Sequence, residues 1–390
     1  MRILEIFWRF FVLGLSSFGG PAAHIGYFRQ AFVEKRHWLD ADHYHRLVAL
    51  SQFLPGPGSS QVGFAIGLHR AGLAGGLSAF IAFTLPSFLL LYALALGIHT
   101  QQIFDLYGLF HGLKLLALIV VLDAILNMWQ NFCTQRLPRT IALITTALLL
   151  VLPSFYTQVF LLLIMAFFGA FFLQPASAMP SVKSNQPSFS SNVWLMLALL
   201  LFALSFIHWP TAALNIFADF YQAGSLVFGG GHVVLPLLQQ TLGEYIDSDS
   251  FLTAYAAAQA VPGPMFTLAA YLGAESLPIS PLKGALIATL AIFLPGFLLV
   301  LALHAHWNTL ANKTPFAGAM LAVNASVVGF LLAALIQSIV PGALLSGVDL
   351  LAAAVGFYLL TVRKISVFLL IMLFSAYGTL SHLIQTTLPE

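Results

Sequence analysis

The run SQFLPGPGSSQ at residues 51–61 decides the fold of this chain, and AQAVPGPMFTL at residues 258–268 repeats its pattern. Each run carries a glutamine followed by Pro-Gly-Pro. Such a run cannot continue a helix, because proline lacks the amide donor and constrains the residue before it. Both runs lie inside strongly hydrophobic sequence, where unpaired backbone is tolerated only if it lines a cavity or is covered by protein. The pattern therefore predicts two helices that are broken within a membrane.

A glycine-rich run precedes each Pro-Gly-Pro. Phe-Gly-Gly-Pro stands at residues 18–21 and Phe-Gly-Gly-Gly at residues 228–231, and an apolar helical run follows each of them. The offset between equivalent positions is 210 residues at Phe-Gly-Gly, 207 at Pro-Gly-Pro and 209 at the Leu-Pro pairs of residues 85–86 and 294–295. An offset this constant predicts that the chain contains an internal duplication.

The composition is that of a polytopic membrane protein. Of the 390 residues 60% are hydrophobic and 7% are charged, and the mean hydropathy is +0.94, far outside the range of soluble domains. No basic tract with interleaved aromatic residues is present, so nucleic-acid binding is not expected. The single cysteine, Cys133, excludes an internal disulfide and a multi-cysteine metal site. The apolar start is read as part of the fold and not as a cleaved signal peptide, since Glu5 and Arg9 interrupt its charged end.

The hydrophobic runs predict an all-α fold with about nine spanning helices and four broken, re-entrant helical hairpins. The broken helices are individually too short to span, which takes roughly 20 residues, so their tips are placed at mid-membrane. The predicted full spans are residues 71–97, 103–127, 140–152, 155–173, 193–209, 282–304, 316–337, 348–362 and 366–384.

The duplication divides the chain into two homologous halves. Residues 1–173 form the predicted N-terminal transport repeat and residues 193–390 the C-terminal transport repeat. The segment 174–192 between them has no apolar period and is rich in Pro, Ser and Asn, as expected of a linker. Helix 193–209 has no counterpart at the start of the first half, so it is predicted to be an extra crossing that turns the second half over.

The loop charges predict that the halves have opposite orientations. Cytoplasmic loops of membrane proteins carry an excess of Lys and Arg, and the loops of the first half carry Arg29, Lys35, Arg36, Arg46, Arg70, Arg136 and Arg139. The equivalent loops of the second half carry Glu244, Asp247 and Asp249 instead. The linker and the amino terminus are therefore expected in the cytoplasm and the carboxyl terminus in the periplasm.

Inverted repeats with paired broken helices near the midplane are typical of secondary transporters. Each helix that starts after a break presents free amides and the positive end of its dipole, which favour an anion. Four convergent ends would sum to about two positive charges and would suit a small dianion, although the carbonyl ends of the preceding helices oppose part of this field. Ser59 and Ser60 are N-cap and hydroxyl donors after the first Pro-Gly-Pro, Thr267 is similar in the second half, and Gln52 and Gln259 add paired amides.

Several polar residues inside the predicted spans extend this site. An intramembrane lysine is costly and marks a functional site by default, so Lys114 is assigned an anion-facing or gating role, with a structural pair to Asp123 or snorkelling as the alternatives. Asn324 is its counterpart at an offset of 210. His24 and His232 could donate to an oxyanion or carry a proton, or could cap and pack. The predicted substrate-binding set is Gly19, Gly20, His24, Gln52, Gly56, Ser59, Ser60, Lys114, Gly229, Gly230, Gly231, His232, Gln259, Gly263, Thr267 and Asn324.

The motifs FGGPAAHI at 18–25, QFLPGPGSSQ at 52–61, FGGGHVVLP at 228–236 and QAVPGPMFTLAAYLG at 259–273 resemble those of the chromate ion transporter family in its long, two-domain form. The resemblance covers essentially the whole chain. It implies export of chromate across the inner membrane of a bacterium. Sulfate, which has the same tetrahedral shape and charge, is expected as a competitor or counter-substrate.

Two other functions stay open at this point. A transporter or exchanger of sulfate or another oxyanion would carry the same motifs, and an anion channel can also be built from re-entrant hairpins. A membrane-embedded enzyme is not expected, because the chain lacks the metalloprotease, nucleophile-elbow, P-loop and dinucleotide-binding motifs. No cofactor is expected, and energy should come from a coupling proton or from anion exchange. Whether the protein forms a homodimer in the lipid bilayer is also open.

Overall fold

The computed structural model describes residues 1–99, 107–173, 189–243, 246–303 and 314–387. Within these residues the chain is helical and contains no β-strand. Glu244 and most of the predicted linker lie outside the described residues, so their placement stays a prediction.

Two broken helices open the first half. Helix α1 (Arg2–Ser16) ends at the first glycine run, and α2 (Gly20–Phe28) follows it and continues into a π-helical turn at Arg29–Glu34. Helix α3 (Ala41–Phe53) ends at the first Pro-Gly-Pro. The remaining helices of this half are α4 (Gly58–His99), α5 (Tyr107–Phe132), α6 (Arg136–Val151) and α7 (Phe155–Phe172).

The second half repeats this order after one additional helix, α8 (Phe189–Leu204). Helix α9 (Ala212–Leu226) ends at the second glycine run, and α11 (Ser248–Ala260) ends at the second Pro-Gly-Pro. Short helices follow each break, namely α10 (Val234–Leu242) and α12 (Leu268–Ser276). The remaining helices are α13 (Pro281–Leu303), α14 (Thr314–Ala334), which continues through a π-helical turn at Leu335–Ile339 into Val340–Ala343, α15 (Gly347–Thr361) and α16 (Val367–Thr387).

The described part of the chain has six helices that are long and apolar enough to cross a membrane. They are Gly58–Gly97, Tyr107–Phe132, Phe155–Phe172, Pro281–Leu303, Pro315–Ala343 and Val367–Ile384. The chain is therefore a multi-pass membrane protein. The predicted total of about nine spans also includes Asn192–Leu204, Gly347–Thr361 and the 16-residue α6, which are shorter, and that total remains a prediction.

Helix α4 turns back on itself instead of running straight. Ala71 (φ −151°, ψ 30°) and Gly72 (φ 63°, ψ −158°) leave the helical conformation, and Gly67 packs directly on the backbone of Gly75 across the turn. The second half makes the same turn between α12 and α13, where Gly273 packs on Gly284. These backbones can touch because glycine has no Cβ. Each short helix after a Pro-Gly-Pro thus lies against the long helix that follows it.

Each half packs one of its long helices against the other half. Helix α5 packs against α15 and α16 of the second half, and α14 packs against α6 and α7 of the first. Gly108 of α5 lies against the carbonyl of Gly378, and Gly318 of α14 lies against the carbonyl of Gly169. These two contacts join equivalent positions, so each half supplies the same packing surface to the other.

Equivalent acidic residues start α3 and α11. The Asp40 carboxylate accepts the His43 backbone N–H at 2.7 Å, and the Asp247 carboxylate accepts those of Asp249 and Ser250 at 2.9 Å. The hydrogen bond from His43 holds the pKa of the Asp40 carboxyl below its usual value. Because the two N-caps are 207 residues apart, Asp42 and Asp249 occupy matching positions.

One pair of equivalent contacts differs strongly between the halves. Helix α11 packs along α5. The matching helices α3 and α14 meet where Phe53 stacks on Phe316 at 5.3 Å, and among the described residues they do not pack along their length. The side of the molecule at α11 is therefore closed, whereas the side at α3 is open.

Candidate functional site

Each Pro-Gly-Pro break is hydrogen-bonded to the glycine break of the other half. The Gly56 N–H donates to the Val227 carbonyl at 2.7 Å, and the Gly263 N–H donates to the Ser17 carbonyl at 3.0 Å. Val227 and Ser17 each directly precede a Phe-Gly-Gly run and are 210 residues apart. The carbonyl ends of α1 and α9 are thereby partly satisfied, which weakens the negative field that they would otherwise direct at a bound anion.

The central residue of each Pro-Gly-Pro must be glycine, because its φ is positive and because another residue lies too close for a side chain. Gly56 has φ +116° and Gly263 has φ +105°, a conformation that strongly favours glycine. A Cβ on Gly56 would lie 3.1 Å from Gly296 Cα, and a Cβ on Gly263 would lie 2.8 Å from Ser87 Oγ. Gly296 and Ser87 follow the matching Leu-Pro pairs, so both breaks are held against the long helix of the opposite half.

The two glycine breaks also meet. A Cβ on Gly231 would lie 3.4 Å from Pro21 Cγ, so the residues that follow the two runs are in contact. The four remaining predicted glycines of these runs, Gly19, Gly20, Gly229 and Gly230, all have positive φ. The structure therefore brings all four breaks into one cluster, which we call the break cluster. Within this cluster Gly19 is exposed.

His24 connects elements within the break cluster. Its Nε2 lies 3.2 Å from the Ser17 carbonyl, which can only accept, so Nε2 carries the hydrogen. Its Nδ1, 3.2 Å from Ser59 Oγ, then accepts the Ser59 hydroxyl. Ser59 is therefore committed to His24 and does not act as the predicted N-cap of α4. Ser60 differs, because its hydroxyl is buried without a hydrogen-bond partner among the described residues.

His232 has a different environment, and it is not the repeat counterpart of His24. Its Nδ1 lies 2.7 Å from the Tyr255 hydroxyl and 3.4 Å from the Gln259 amide nitrogen. An amide nitrogen can only donate, so Nδ1 is the acceptor and Nε2 carries the hydrogen. His232 therefore presents an N–H donor from the turn that follows the second glycine break.

Two predicted site residues are placed differently from expectation. Gln259 is 8% exposed, but Gln52 is exposed, because α3 does not pack along α14. The Thr267 hydroxyl donates to the Pro264 carbonyl at 2.5 Å and is thus used within its own turn. Both helices after the second-half breaks start only after a 3₁₀ turn, Gly231–Val233 or Met265–Thr267, whose hydrogen bonds use amides that were expected to be free.

Lys114 lies at the far end of α11 from the break cluster. It is 7% exposed and donates to Asp249 at the start of α11, not to Asp123, which bonds to Asn127 instead. Asp249 and Gln259 are ten residues apart on one helix, which is about 15 Å.

Asn324, the counterpart of Lys114, lies at the break cluster. Its Oδ1 is buried without a partner among the described residues, and a Cβ on Gly229 would lie 3.1 Å from that oxygen. The two equivalent positions on α5 and α14 therefore have different surroundings in this structure.

Three residues of the break cluster were not predicted as site residues. Gln61 is completely buried, donates to the carbonyls of Pro55 and Gly296, and leaves its Oε1 without a partner in the described structure. Ser87 and Tyr255 contact Gly263 and His232 as described above. Gln61 belongs to the quoted motif, but its counterpart is Leu268, so the duplication gave no signal for it. No cluster of three or more metal-ligating side chains occurs in the described residues.

Comparison with known proteins gives one consistent result. A family model described as Chromate transporter matches residues 4–171 and 214–379, two regions whose starts are 210 residues apart. An uncharacterized transporter of Methanocaldococcus jannaschii is 27% identical over 86% of this chain and 84% of its own length. A chromate transport protein of Pseudomonas aeruginosa is 25% identical over 95% of this chain and 91% of its own length. A probable chromate transport protein of Synechococcus elongatus is 29% identical over 74% and 72%. No solved structure matches the chain.

Proposed function

Because the chain belongs to the chromate transporter family, we propose that it is a secondary active transporter that exports chromate across the inner membrane of a bacterium by alternating access. The family consists of transporters, in agreement with the expectation that the protein is not an enzyme. The observation that carries the proposal is the reciprocal joining of the breaks, Gly56 to Val227 and Gly263 to Ser17. Equivalent contacts made in both directions are what two halves that exchange roles around one central site require.

The difference between the two sides supports alternating access. Helix α11 is closed against α5, while α3 stands away from α14 and leaves Gly19 and Gln52 exposed. With the first-half loops in the cytoplasm, as their basic residues favour, this state would be open to the cytoplasm. Exchange of the two packing patterns would close α3 on α14, release α11 from α5 and open the break cluster to the periplasm.

The polar groups of the break cluster fit a dianion better than a cation. Ser60 has an uncommitted hydroxyl, His232 carries an Nε2–H donor, and α2 and α4 begin at Gly20 and Gly58 with their amino-terminal amides. No Asp or Glu is among the cluster residues described above. A tetrahedral oxyanion would therefore meet donors and partial positive charge.

Flux measurements in proteoliposomes test this function directly. We expect saturable chromate uptake that is driven by a pH gradient or by sulfate on the opposite side. Movement of sulfate without chromate would retain the mechanism and change the substrate. Chromate flux that rises linearly with concentration and ignores both gradients would instead identify an anion channel and contradict the proposal.

Replacement of Ser60 by alanine is expected to raise the half-saturating chromate concentration about tenfold, since a hydrogen bond to a charged ligand is lost. Folding should not suffer, because the hydroxyl has no partner in the described structure. Ser59→Ala is the matched control. It leaves the buried His24 Nδ1 unpaired and should lower the thermal unfolding midpoint more than the affinity. An unchanged half-saturating concentration in Ser60→Ala would remove Ser60 from the site.

Labelling of single cysteines tests the proposed inversion. Cys133 is the only cysteine and is buried, so Cys133→Ser provides the background. Glu34 and Ser248 are exposed and lie in matching regions of the two halves. We expect a membrane-impermeant thiol reagent to reach Glu34→Cys only from the cytoplasmic side and Ser248→Cys only from the periplasmic side. Labelling of both from the same side would contradict the inverted topology.

A further inference from the structure

We propose that Asp249 is a built-in substitute for the transported anion at Lys114. In this proposal, which rests on the proposed function, the Asp249 carboxylate holds the Lys114 ammonium while the α11 side is closed. When that side opens, a tetrahedral dianion that leaves the break cluster replaces Asp249 on Lys114 on its way out.

The burial of the two partners differs greatly. The Lys114 side chain is 8% exposed and the Asp249 side chain is 71% exposed. Lys114 sits in an apolar helix beside the buried residues Leu113 and Leu115, where an ammonium without an anion is costly. The lysine is therefore stabilised by an anionic partner, whereas the aspartate is well solvated without the lysine. Of the two partners, the aspartate is the one that can leave.

A neighbouring pair between α5 and α15 illustrates a carboxylate that is held permanently. His111, one helical turn before Lys114, donates to Asp349 at 2.9 Å. The Asp349 carboxylate also accepts the Tyr377 and Ser346 hydroxyls and the Leu345 backbone N–H, and it is 4% exposed. The Asp249 carboxylate has one hydrogen-bond donor among the described residues, Lys114. Asp349 is fixed by four donors, but Asp249 is exchangeable.

The same ion pair cannot form on the other side of the molecule. Asp42 matches Asp249, but the residue that matches Lys114 is Asn324. Asn324 carries no charge and has an Oδ1 without a partner in the described structure. The ion pair thus connects α5 to α11 on the closed side only. A dianion that takes the place of Asp249 satisfies Lys114 while α11 is released.

The test is the Asp249→Asn variant, which frees Lys114 from its competitor. Because the Asp249 side chain is 71% exposed, it competes only weakly for Lys114, and we expect the half-saturating concentration of chromate or sulfate to fall roughly three- to fivefold. Turnover should fall as well, because the anion leaves Lys114 more slowly. Two charge-matched controls, Asp42→Asn and Asp247→Asn, should leave the half-saturating concentration within about twofold. Asparagine remains a good N-cap at position 247.

A binding measurement separates this proposal from the proposed function. In detergent, sulfate should raise the thermal unfolding midpoint of Asp249→Asn more than that of the wild type. In the Lys114→Gln background, Asp249→Asn should make no further difference. Equal sulfate-induced shifts in wild type and Asp249→Asn would overturn the role of Asp249, even with normal chromate flux. Absence of wild-type chromate flux together with the larger sulfate shift would instead change the transported substrate and keep the anion site.

Discussion

Replacement of Lys114 by alanine is expected to abolish measurable chromate transport while the protein still folds and reaches the membrane. The rate at low chromate should fall about a hundredfold, the size expected when a buried charged contact to an anion is lost. Stability should be retained, because the substitution removes a desolvated ammonium and its partner Asp249 is 71% exposed. The measurement is chromate flux in proteoliposomes, normalised to the amount of folded protein.

Two further variants test whether transport depends on a positive charge at position 114. One keeps that charge, and the other removes a lysine elsewhere. Lys114→Arg keeps the charge and should retain part of the flux. Lys283→Ala removes an exposed lysine elsewhere and should leave flux near that of the wild type. Transport by Lys114→Ala within twofold of wild type would exclude Lys114 from the anion path and would also remove the basis for an exchange with Asp249.

The second large effect is expected at the central glycines of the Pro-Gly-Pro breaks. Gly56→Ala and Gly263→Ala should each eliminate transport and lower the thermal unfolding midpoint, because both glycines combine positive φ with a close neighbour. At Gly263 the neighbour is the Ser87 side chain, so Ser87→Gly should partly restore the midpoint of Gly263→Ala. At Gly56 a Cβ would lie 3.1 Å from both the Gln61 side chain and the Gly296 backbone, and no side-chain deletion removes the backbone contact.

Gly26→Ala is the control for these variants. Gly26 lies in α2, has an ordinary helical φ, and a Cβ built on it meets nothing within 4 Å. The substitution should therefore leave flux unchanged and stabilise the helix slightly. Wild-type flux in Gly56→Ala or Gly263→Ala would mean that the breaks are packing features without a role in transport. Equal loss in Gly26→Ala would mean that the region tolerates no change at all.

The positions of the breaks could be predicted from the sequence because proline and glycine act on the local backbone. Helices α1, α3, α9 and α11 end at the four runs that contain these residues. The family match in two regions agrees with the predicted duplication. The number of spans and the inversion are not fixed by such local signals, since several helices are shorter than a full span.

The partners of the polar residues could not be predicted in the same way. Lys114 and Asp249 are 135 residues apart, and only the packing of α11 along α5 brings them together. Asp123, nine residues further along the same helix, was the nearer partner in sequence. Gln52 and Gln259 share a motif yet differ in burial, because α11 packs along α5 whereas α3 does not pack along α14. A repeat in sequence predicts matching positions but not matching surroundings.

The ion pair that joins α5 to α11 on one side only also bears on how the protein behaves in a cell that contains no chromate. Under the proposed alternating access, with α3 on the cytoplasmic side, this extra contact would favour the state of the empty transporter that is open to the cytoplasm. In that state chromate could bind from the cytoplasm, whereas binding of an anion from the other side would first require separation of Lys114 from Asp249. A charge at only one of two equivalent positions, Lys114 and Asn324, would thus set the resting state of a molecule that is otherwise built from two similar halves.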